Sequence, residues 1–231
     1  MANQKLMFEN IKADLKVILE KDPAAKSKFT VWLTYSGFKA LRGYRRAHWF
    51  YMHGMKTLAH LISSHVHKVT AVEIHPAAKI GKGVMIDHGA GVVIGETAEV
   101  GNNVVLYQGV TLGGTGKDVG KRHPTIEDDV MISSGAKVLG PITIGRGCKI
   151  GAGSVVLKSV PPMCTVVGIP GRIVKQQGLR IADMDQQLPD PILEEFRQLN
   201  KRVRDLEINA GIAQKYSPVL EGLDPLDSAM L

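Results

Sequence analysis

A six-residue spacing of branched aliphatic residues runs through the middle of the chain and constrains its fold more than any other feature. The spacing takes in fourteen positions: Ile74, Ile80, Ile86, Val92, Ile94, Val100, Leu106, Leu112, Ile126, Ile132, Val138, Ile144, Ile150 and Val156. The series contains one two-residue shift, which the aliphatic pattern places between Val92 and Ile94. A period of six fits neither a helix nor a long alternating strand. It indicates a solenoid in which each turn stacks on the last and buries an inward column of side chains.

The residue after the aliphatic position is often glycine, as at Gly81, Gly95 and Gly145. Glycine adopts positive φ at little cost, so it suits short strands that are joined by tight turns. Three hexads would close one triangular coil of about 18 residues. We therefore predict a mainly β fold, with a left-handed parallel β-helix over residues 71–175 as the catalytic domain.

The repeat is interrupted between Leu112 and Ile126, where the intervening run is too long for one hexad. This run contains Gly113-Gly114-Thr115-Gly116 and ends in Pro124. It cannot remain inside the coil, so we predict an extruded loop over 113–125. Loops held on a rigid scaffold commonly carry function, although a neutral insertion is the alternative.

Helical patterns flank the repeat on its N-terminal side. Residues 1–70 are predicted to form an N-terminal helical domain. Apolar residues lie near one face of its first helix: Leu6, Ile11, Leu15, Ile18 and Leu19. Asp22-Pro23 is expected to start the next helix, since Asp is a favoured N-cap and Pro a favoured first helical residue.

Residues 176–231 are predicted to form a C-terminal tail with a short heptad helix over 190–208. Its apolar residues are spaced by four and three: Ile192, Phe196, Leu199, Val203 and Leu206. Two heptads are marginal in isolation. The helix would therefore either dock on the body of the protein or join a bundle in an oligomer, and the pattern leaves both open.

The charge and cysteine content narrow the functional class. A net charge of +7 and a pI near 9.4 suit a polyanionic partner. Aromatic residues make up only 5% and do not interleave with the basic ones, so a phosphorylated small molecule is favoured over nucleic acid. No uncharged apolar run is long enough to span a membrane. Two cysteines, with no basic-then-apolar N-terminal leader, predict a cytoplasmic protein without a disulfide framework.

The spacing of the histidines does not fit a zinc site. A solenoid carbonic anhydrase needs three histidines that converge on zinc. The histidine pairs five residues apart are His48 with His53 and His60 with His65, and both lie in the helical segment. We therefore predict no metal.

Asp87-His88 and Arg122-His123 are the candidate chemical groups. A histidine beside carboxylates on a rigid coil can act as a general base when one carboxylate fixes its tautomer. Glu73 lies fifteen residues before His88, close to one coil, and could stack near it. Arg122 presents a guanidinium that pairs naturally with a carboxylate.

Together these residues resemble the serine O-acetyltransferases of cysteine biosynthesis. The similarity covers about Asp22 to Lys175. It is carried by these motifs: Glu73-Ile74-His75-Pro76-Ala77-Ala78-Lys79-Ile80-Gly81, Asp87-His88, Gly95-Glu96-Thr97-Ala98, Val110-Thr111-Leu112-Gly113-Gly114-Thr115-Gly116, Arg122-His123-Pro124 and Gly151-Ala152-Gly153-Ser154-Val155-Val156.

The resemblance implies transfer of acetyl from acetyl-CoA to the L-serine hydroxyl, with His88 as general base. Glu73 matches the acid that orients this base, where the family usually has Asp. Asp22, Asp87, Arg122 and His123 match substrate-binding positions. Gly114, Ser134 and Ala152 match positions along the CoA groove, and Arg172 and Lys175 could meet the CoA phosphates. Acetyl-CoA is a co-substrate in this family, and no permanently bound cofactor is implied.

The resemblance also implies partners. It predicts a homotrimer with active sites between subunits; longer members pair trimers through N-terminal helices, so a dimer of trimers stays open. L-cysteine is the expected feedback inhibitor. Some members bind cysteine synthase through a C-terminal Ile, which is replaced here by Met230-Leu231, so that partner also stays open.

Two other functions remain to be distinguished. One is an acetyltransferase that acts on a sugar or another hydroxyl acceptor, which the generic repeat would serve equally well. The other is a weakly catalytic assembly partner of cysteine synthase, suggested by Glu73 in place of Asp.

Overall fold

The computed structural model describes residues 2–116, 119–177, 179–180, 199, 201–203 and 206. The chain divides into two compact units, Met1–Ile181 and Ala182–Leu231. In the second unit Leu199, Val203 and Leu206 are helical. Ile192 and Phe196 of the predicted heptad helix lie outside the described residues.

Helices make up the N-terminal part of the first unit. They are α1 (Ala2–Lys21), α2 (Lys28–Thr34), α3 (Ser36–Met52) and α4 (Lys56–Thr70). On the predicted apolar face of α1, Ile11 and Ile18 are buried, and Leu15 and Leu19 pack beside them. The side chain of Leu6 lies outside the described residues.

Asp22-Pro23 does not start a helix, contrary to the prediction. The Asp22 carboxylate accepts a hydrogen bond from the Ala24 backbone N–H at 2.8 Å, so the dipeptide forms a turn, and α2 begins only at Lys28. The same short side chain that can cap a helix can close a turn on its own backbone. Here the turn leaves the second carboxylate oxygen of Asp22 available to another partner.

The rest of the first unit is built from short strands. They are β1 (Glu73–Ile74), β2 (Lys79–Ile80), β3 (Met85–Ile86), β4 (Val93–Ile94), β5 (Glu99–Val100), β6 (Val105–Leu106), β7 (Thr111–Gly113), β8 (Thr125–Ile126), β9 (Met131–Ile132), β10 (Lys137–Leu139), β11 (Thr143–Ile144), β12 (Lys149–Ile150), β13 (Val155–Val156), β14 (Cys164–Val167), β15 (Arg172–Gln176) and β16 (Leu179–Arg180).

These strands form the three faces of a parallel β-helix. Sheet A has the strand order β1-β4-β7-β10-β13, and sheet B has the strand order β2-β5-β8-β11. Sheet C runs β3-β6-β9-β12-β14 and continues through β15 and β16. Neighbouring coils pair in parallel, so Glu73 lies beside Val93 and Ile74 beside Ile94. Only the β14-β15 and β15-β16 pairs in the described strands are antiparallel.

All fourteen aliphatic positions of the six-residue series are buried in one continuous core. Smaller residues form a second inward-facing column. Each of them lies two positions in the sequence before the inward residue of a strand. The members of this column include Val72, Ala78, Val84, Val92, Ala98, Val104, Val110, Val130, Ala136, Cys148 and Ser154. Val92 therefore belongs to this second column, not to the first. The two extra residues lie in the corner between Ile86 and Val92, which contains His88.

The C-terminal end of the β-helix carries one more parallel strand and then an antiparallel extension. After Pro161-Pro162, β14 pairs in parallel with β12 and adds another side to the coil. The chain then reverses at Gly168–Gly171, and β15 returns antiparallel to β14. Arg172 and Lys175 thus lie on a strand that extends sheet C.

Candidate active site

Two corners of the β-helix carry the predicted site residues. The His88 corner joins sheet C to sheet A and comprises residues 87–92, 107–110, 133–136 and 151–154. The loop corner joins sheet A to sheet B and comprises residues 75–78, 95–98 and the extruded loop 114–124.

His88 lies exposed at the corner that carries the two-residue insertion. Its backbone has φ 56°, a left-handed conformation that is uncommon for residues other than glycine. The Ser36 hydroxyl donates to the His88 carbonyl at 2.5 Å and ties this corner to the start of α3. Such a conformation persists only where surrounding contacts maintain it, and it is typical of functional positions.

Glu73 is the first residue of β1. This strand pairs with β4, the strand that follows the His88 corner. Its backbone N–H donates to the Val92 carbonyl at 2.9 Å, four residues beyond His88. Within the described part of the chain, no hydrogen bond joins the Glu73 carboxylate to the His88 ring. The structure therefore places the two groups on adjoining segments without showing the contact that an orienting acid would make.

Asp22 and Asp87 line one cavity of about 310 Å³, beside Tyr107. The Tyr35 hydroxyl donates to Asp22 Oδ2 at 2.8 Å, and this hydrogen bond raises the pKa of Tyr35 above its ordinary value. The phenol therefore stays protonated and holds the carboxylate at the cavity. Asp129 and Lys21 also line this cavity, so three carboxylates face one ammonium group, and the excess of negative charge suits a cationic amine.

Arg122 and His123 lie at the end of the extruded loop, on the turn formed by Glu96 and Thr97. The Arg122 guanidinium forms a short ion pair with the Glu96 carboxylate and lowers the pKa of that carboxyl. The Thr97 hydroxyl contacts Nδ1 of the His123 ring at 2.9 Å. Lys121 also donates to the Thr97 carbonyl, at 2.7 Å. The loop is thus fixed by one dipeptide.

His75 lies at the same corner, on the coil before the one that carries Glu96 and Thr97. Its Nδ1 accepts a hydrogen bond from the Ala77 backbone N–H at 3.1 Å, and its ring centroid is 5.1 Å from that of His60. Burial lowers the pKa of His75 and also that of His123. Both rings are therefore favoured in their neutral form near pH 7.

Ser134 and Ala152 lie on the His88 corner, on successive coils below it. Backbone hydrogen bonds connect these coils, since Gly135 donates to the Gln108 carbonyl and Gly153 to the Ser134 carbonyl, each at 2.8 Å. The corner forms a column of small residues that leads towards His88. Two of the predicted CoA-binding positions therefore share a surface with the predicted base.

Gly114 lies on the loop corner instead. A Cβ atom at this position would stand 3.1 Å from Arg122 Cγ and 3.3 Å from His123 Nε2. The structure thus explains Gly114 by close packing against the Arg122-His123 pair. Its contact with CoA stays a prediction.

Arg172 and Lys175 lie on β15, beyond the last coil. Arg172 pairs with Val167, and Lys175 with Thr165. Lys175 is exposed, whereas Arg172 is half-buried and engaged with neighbouring groups. Both side chains stand at the far end of the coil stack from His88.

The predicted substrate groups are therefore divided between two corners. One side of the triangle separates Asp87-His88 from Arg122-His123, and five residues of extended chain span roughly 16 Å. The two pairs of residues therefore lie on different corners of the same chain.

Comparisons with known proteins identify the relatives of this chain. The sequence pattern described as "Serine acetyltransferase, N-terminal" matches residues 1–43. The pattern "Bacterial transferase hexapeptide (six repeats)" matches residues 123–158, and "Hexapeptide repeat of succinyl-transferase" matches residues 78–108. A serine acetyltransferase of Bacillus licheniformis is 56% identical over 204 residues, which cover 87% of this chain and 94% of that protein.

The chain belongs to the serine acetyltransferase family.

Solved structures of the serine acetyltransferase family support the fold. The Neisseria gonorrhoeae enzyme in complex with serine aligns with a TM-score of 0.73 at 46% identity, covering 75% of this chain and 71% of that one. A serine acetyltransferase in complex with CoA aligns with a TM-score of 0.70 at 42% identity, covering 74% and 70%. The predicted left-handed β-helix is thereby confirmed.

A second cavity lies away from the predicted site residues. This cavity of about 660 Å³ lies between α1, α3 and sheet B, away from both corners' predicted groups. Among the described residues, no three His, Cys, Asp or Glu side chains converge as a metal ion would require. No helix in the described ranges combines the length and apolar character needed to cross a membrane.

The sequence predicts no role for Glu96, Thr97 or His75. Both motifs that contain them were recognised as family features, but their positions in the hexads alone do not reveal a partner. The signal that could have found them is the coil stacking itself. Residues 95–98 occupy the corner that the interrupted coil must cross, so the loop has to rest on them.

Gly95 tests how closely His123 is packed. A Cβ atom at Gly95 would stand 1.9 Å from His123 Cδ2, so Gly95→Ala should displace the imidazole ring. If His123 binds substrate, we expect roughly tenfold to hundredfold lower kcat/KM for the acceptor, since small misplacements of binding groups are costly. Steady-state kinetics and a thermal melt would check this. An unchanged kcat/KM would show that the position of His123 does not matter.

Proposed function

We propose that this chain transfers the acetyl group of acetyl-CoA to the hydroxyl of L-serine, giving O-acetyl-L-serine and CoA. The observation that carries the proposal is His88, which lies exposed in a left-handed backbone conformation at the head of the small-residue corner. A strained, well-anchored histidine of this kind is a candidate base. Family membership supports serine as the acceptor.

In this reaction His88 removes the proton from the serine hydroxyl as its oxygen attacks the thioester carbonyl carbon. The new C–O bond forms, the C–S bond breaks, and the sulfur leaves as the CoA thiolate, which takes up a proton. An alcohol is a poor nucleophile at neutral pH, so the base is needed. Glu73 is the proposed orienting group for the imidazole, with its longer side chain replacing the family's usual Asp.

Serine would be recognised at both ends. The Asp22 and Asp87 carboxylates suit its ammonium group, because they share one cavity. The Arg122 guanidinium and the His123 ring suit its carboxylate. L-cysteine, which differs only by sulfur in place of oxygen, would compete for the same groups and act as an inhibitor.

Acetyl-CoA would lie along the His88 corner as a co-substrate. The small residues at Ser134 and Ala152 leave the backbone accessible to the pantetheine arm. Arg172 and Lys175, at the end of the coil stack, are cations suited to the CoA phosphates. Gly114 would contact the cofactor from the loop corner, and no permanently bound cofactor is part of the proposal.

The division of groups between two corners supports a homotrimer with active sites between subunits. In a cyclic assembly, the His88 corner of one subunit can face the loop corner of the next. Each site would then combine Asp87-His88 with the neighbour's Arg122-His123. We extend the proposal to a cytoplasmic trimer.

Mixed trimers test the shared site. His88→Asn and Arg122→Ala should each be nearly inactive, whereas trimers reassembled from equal amounts should recover about a quarter of wild-type activity, because a quarter of the sites carry both intact groups. Mixing His88→Asn with Asp87→Asn is the matched control, since both changes affect the same corner. Equal activity in both mixtures would contradict sites between subunits.

A steady-state assay tests the function itself. The purified protein is supplied with acetyl-CoA and either L-serine or a sugar acceptor, and release of the CoA thiol is followed. We expect thiol release with L-serine and competitive inhibition by L-cysteine. Release with the sugar alone would reject serine as the acceptor, and no release with either would favour the weakly catalytic assembly partner of cysteine synthase.

A further inference from the structure

Thr97 forms hydrogen bonds with the C-terminal end of the extruded loop, and it has no role in the proposed reaction. We propose that Thr97 is a positioning residue, which sets the backbone position of Arg122-His123 and the tautomer of the His123 imidazole. This inference rests on the proposed function, since it gives the serine-carboxylate site its geometry.

The first step is the hydrogen-bonding capacity of the Thr97 hydroxyl. Its oxygen accepts from the backbone N–H of Arg122 at 3.1 Å and from that of His123 at 3.1 Å. It also lies 2.9 Å from His123 Nδ1, to which its proton can be donated. A hydroxyl has one donor and two acceptor positions, so all of them are used on this dipeptide.

The second step concerns the His123 tautomer. The Thr97 backbone N–H lies 3.2 Å from His123 Nδ1, and an amide N–H can only donate. His123 Nδ1 must therefore carry a lone pair. The neutral ring then bears its proton on Nε2, which is the nitrogen left to donate to a substrate carboxylate.

The surroundings of His123 favour this neutral ring. His123 is 8% exposed, and burial lowers the pKa of its imidazole. The charged and titratable groups that face it are Arg122, Lys121, Glu96 and His75, of which only Glu96 favours the protonated ring. A neutral donor at Nε2 would complement the full charge of the Arg122 guanidinium beside it.

Nε2 of His123 is the ring nitrogen that packs near both Gly95 and Gly114. A Cβ atom on Gly114 would stand 3.3 Å from it, and one on Gly95 would stand 2.0 Å from it. The ring is thus confined between two glycine positions while its Nδ1 edge is fixed by Thr97. Rotation of the imidazole by half a turn would place Nδ1 away from both Thr97 donors.

Replacement of Thr97 by Val keeps the shape and removes the hydroxyl. Two backbone N–H groups then lose their acceptor, and we expect about 5- to 30-fold lower kcat/KM for L-serine, with the KM for acetyl-CoA unchanged. Thr97→Ser keeps the hydroxyl and should restore most of the loss. Thr143→Val, at the outward position of β11, is the matched control and should leave both KM values unchanged.

Nitrogen NMR of the ¹⁵N-histidine-labelled full chain gives a second readout that is independent of activity. The His123 signals, assigned by comparison with His123→Gln, should report an unprotonated Nδ1 and a protonated Nε2 at pH 7.5. In Thr97→Val they should shift or broaden, and in Thr97→Ser they should return. A protonated Nδ1 in the wild-type protein would overturn the proposal even if Thr97→Val fails to fold.

The two readouts separate failure of this inference from failure of the proposed function. If the wild-type protein does not acetylate serine, the proposed function fails, while the NMR spectrum still tests the tautomer. If serine is acetylated and Thr97→Val matches the wild type in serine kinetics and in the His123 spectrum, the positioning role is wrong.

Discussion

His88→Asn is expected to lower kcat for serine acetylation by about 10² to 10⁴, which is the usual contribution of a positioned general base. Asparagine is the appropriate replacement because it tolerates the left-handed conformation that His88 adopts at φ 56°. Alanine would add backbone strain to the loss of the imidazole. Asparagine therefore isolates the chemical role of the ring.

The measurement is kcat from initial rates of CoA thiol release, with a thermal melt to check the fold. His65→Asn is the matched control, since His65 is an exposed histidine on α4, outside both corners. We expect the control to retain wild-type kcat. A His88→Asn enzyme with near wild-type kcat and an unchanged melt would exclude His88 as the base.

Asp14→Ala is expected to lower the free energy of unfolding by about 3–5 kcal/mol, because it leaves a buried arginine without its counterion. The Asp14 and Arg45 side chains are 1% and 4% exposed, and Arg45 Nη2 lies 2.7 Å from Asp14 Oδ2. Asp14 Oδ1 also accepts the Val84 backbone N–H at 3.0 Å. One carboxylate therefore joins α1 to α3 and to the first coil.

Urea unfolding at a fixed protein concentration would measure this loss, since any oligomer makes stability depend on concentration. Glu9→Ala is the control, because Glu9 pairs with Lys12 at an exposed surface and should cost at most about 1 kcal/mol. The double replacement Asp14→Ala with Arg45→Met should cost less than the sum of the two single changes. An additive result would show that the ion pair is not coupled.

Asp14 also affects the candidate site, because it lies on α1, the helix that leads to Asp22. Asp22 comes directly after the last residue of that helix, and its carboxylate lines the cavity with Asp87. Loosening α1 from the coil would therefore move one of the two proposed ammonium-binding groups. We expect the serine KM of Asp14→Ala to rise more than the KM for acetyl-CoA.

The solenoid could be predicted because its signal is periodic and repeated. Each inward residue must be apolar and of similar size, and every position in the six-residue series is buried as expected. Within the solenoid, the error lies where the period breaks. Val92 matches the spacing but belongs to the second inward column, because a small aliphatic residue suits either column.

The turn at Asp22-Pro23 could not be predicted from local preference. The same two residues favour a helix start and a tight turn, and the decision rests on a distant partner. The Tyr35 hydroxyl holds one carboxylate oxygen of Asp22 while the other closes the turn. Only packing of α2 and α3 on α1 brings that hydroxyl within reach.

The amino-acid sequence by itself determined the β-helix, the presence of an extruded loop and the chemical types of the candidate groups, because these depend on local periodicity and on residue identity. The tertiary structure decided where the six-residue period breaks, and therefore where His88 lies. It also decided that Glu96 and Thr97 support Arg122 and His123, and that the substrate groups lie on two corners. These relations depend on which coils stack and on how the helices pack, and both are set by contacts between residues far apart in the chain.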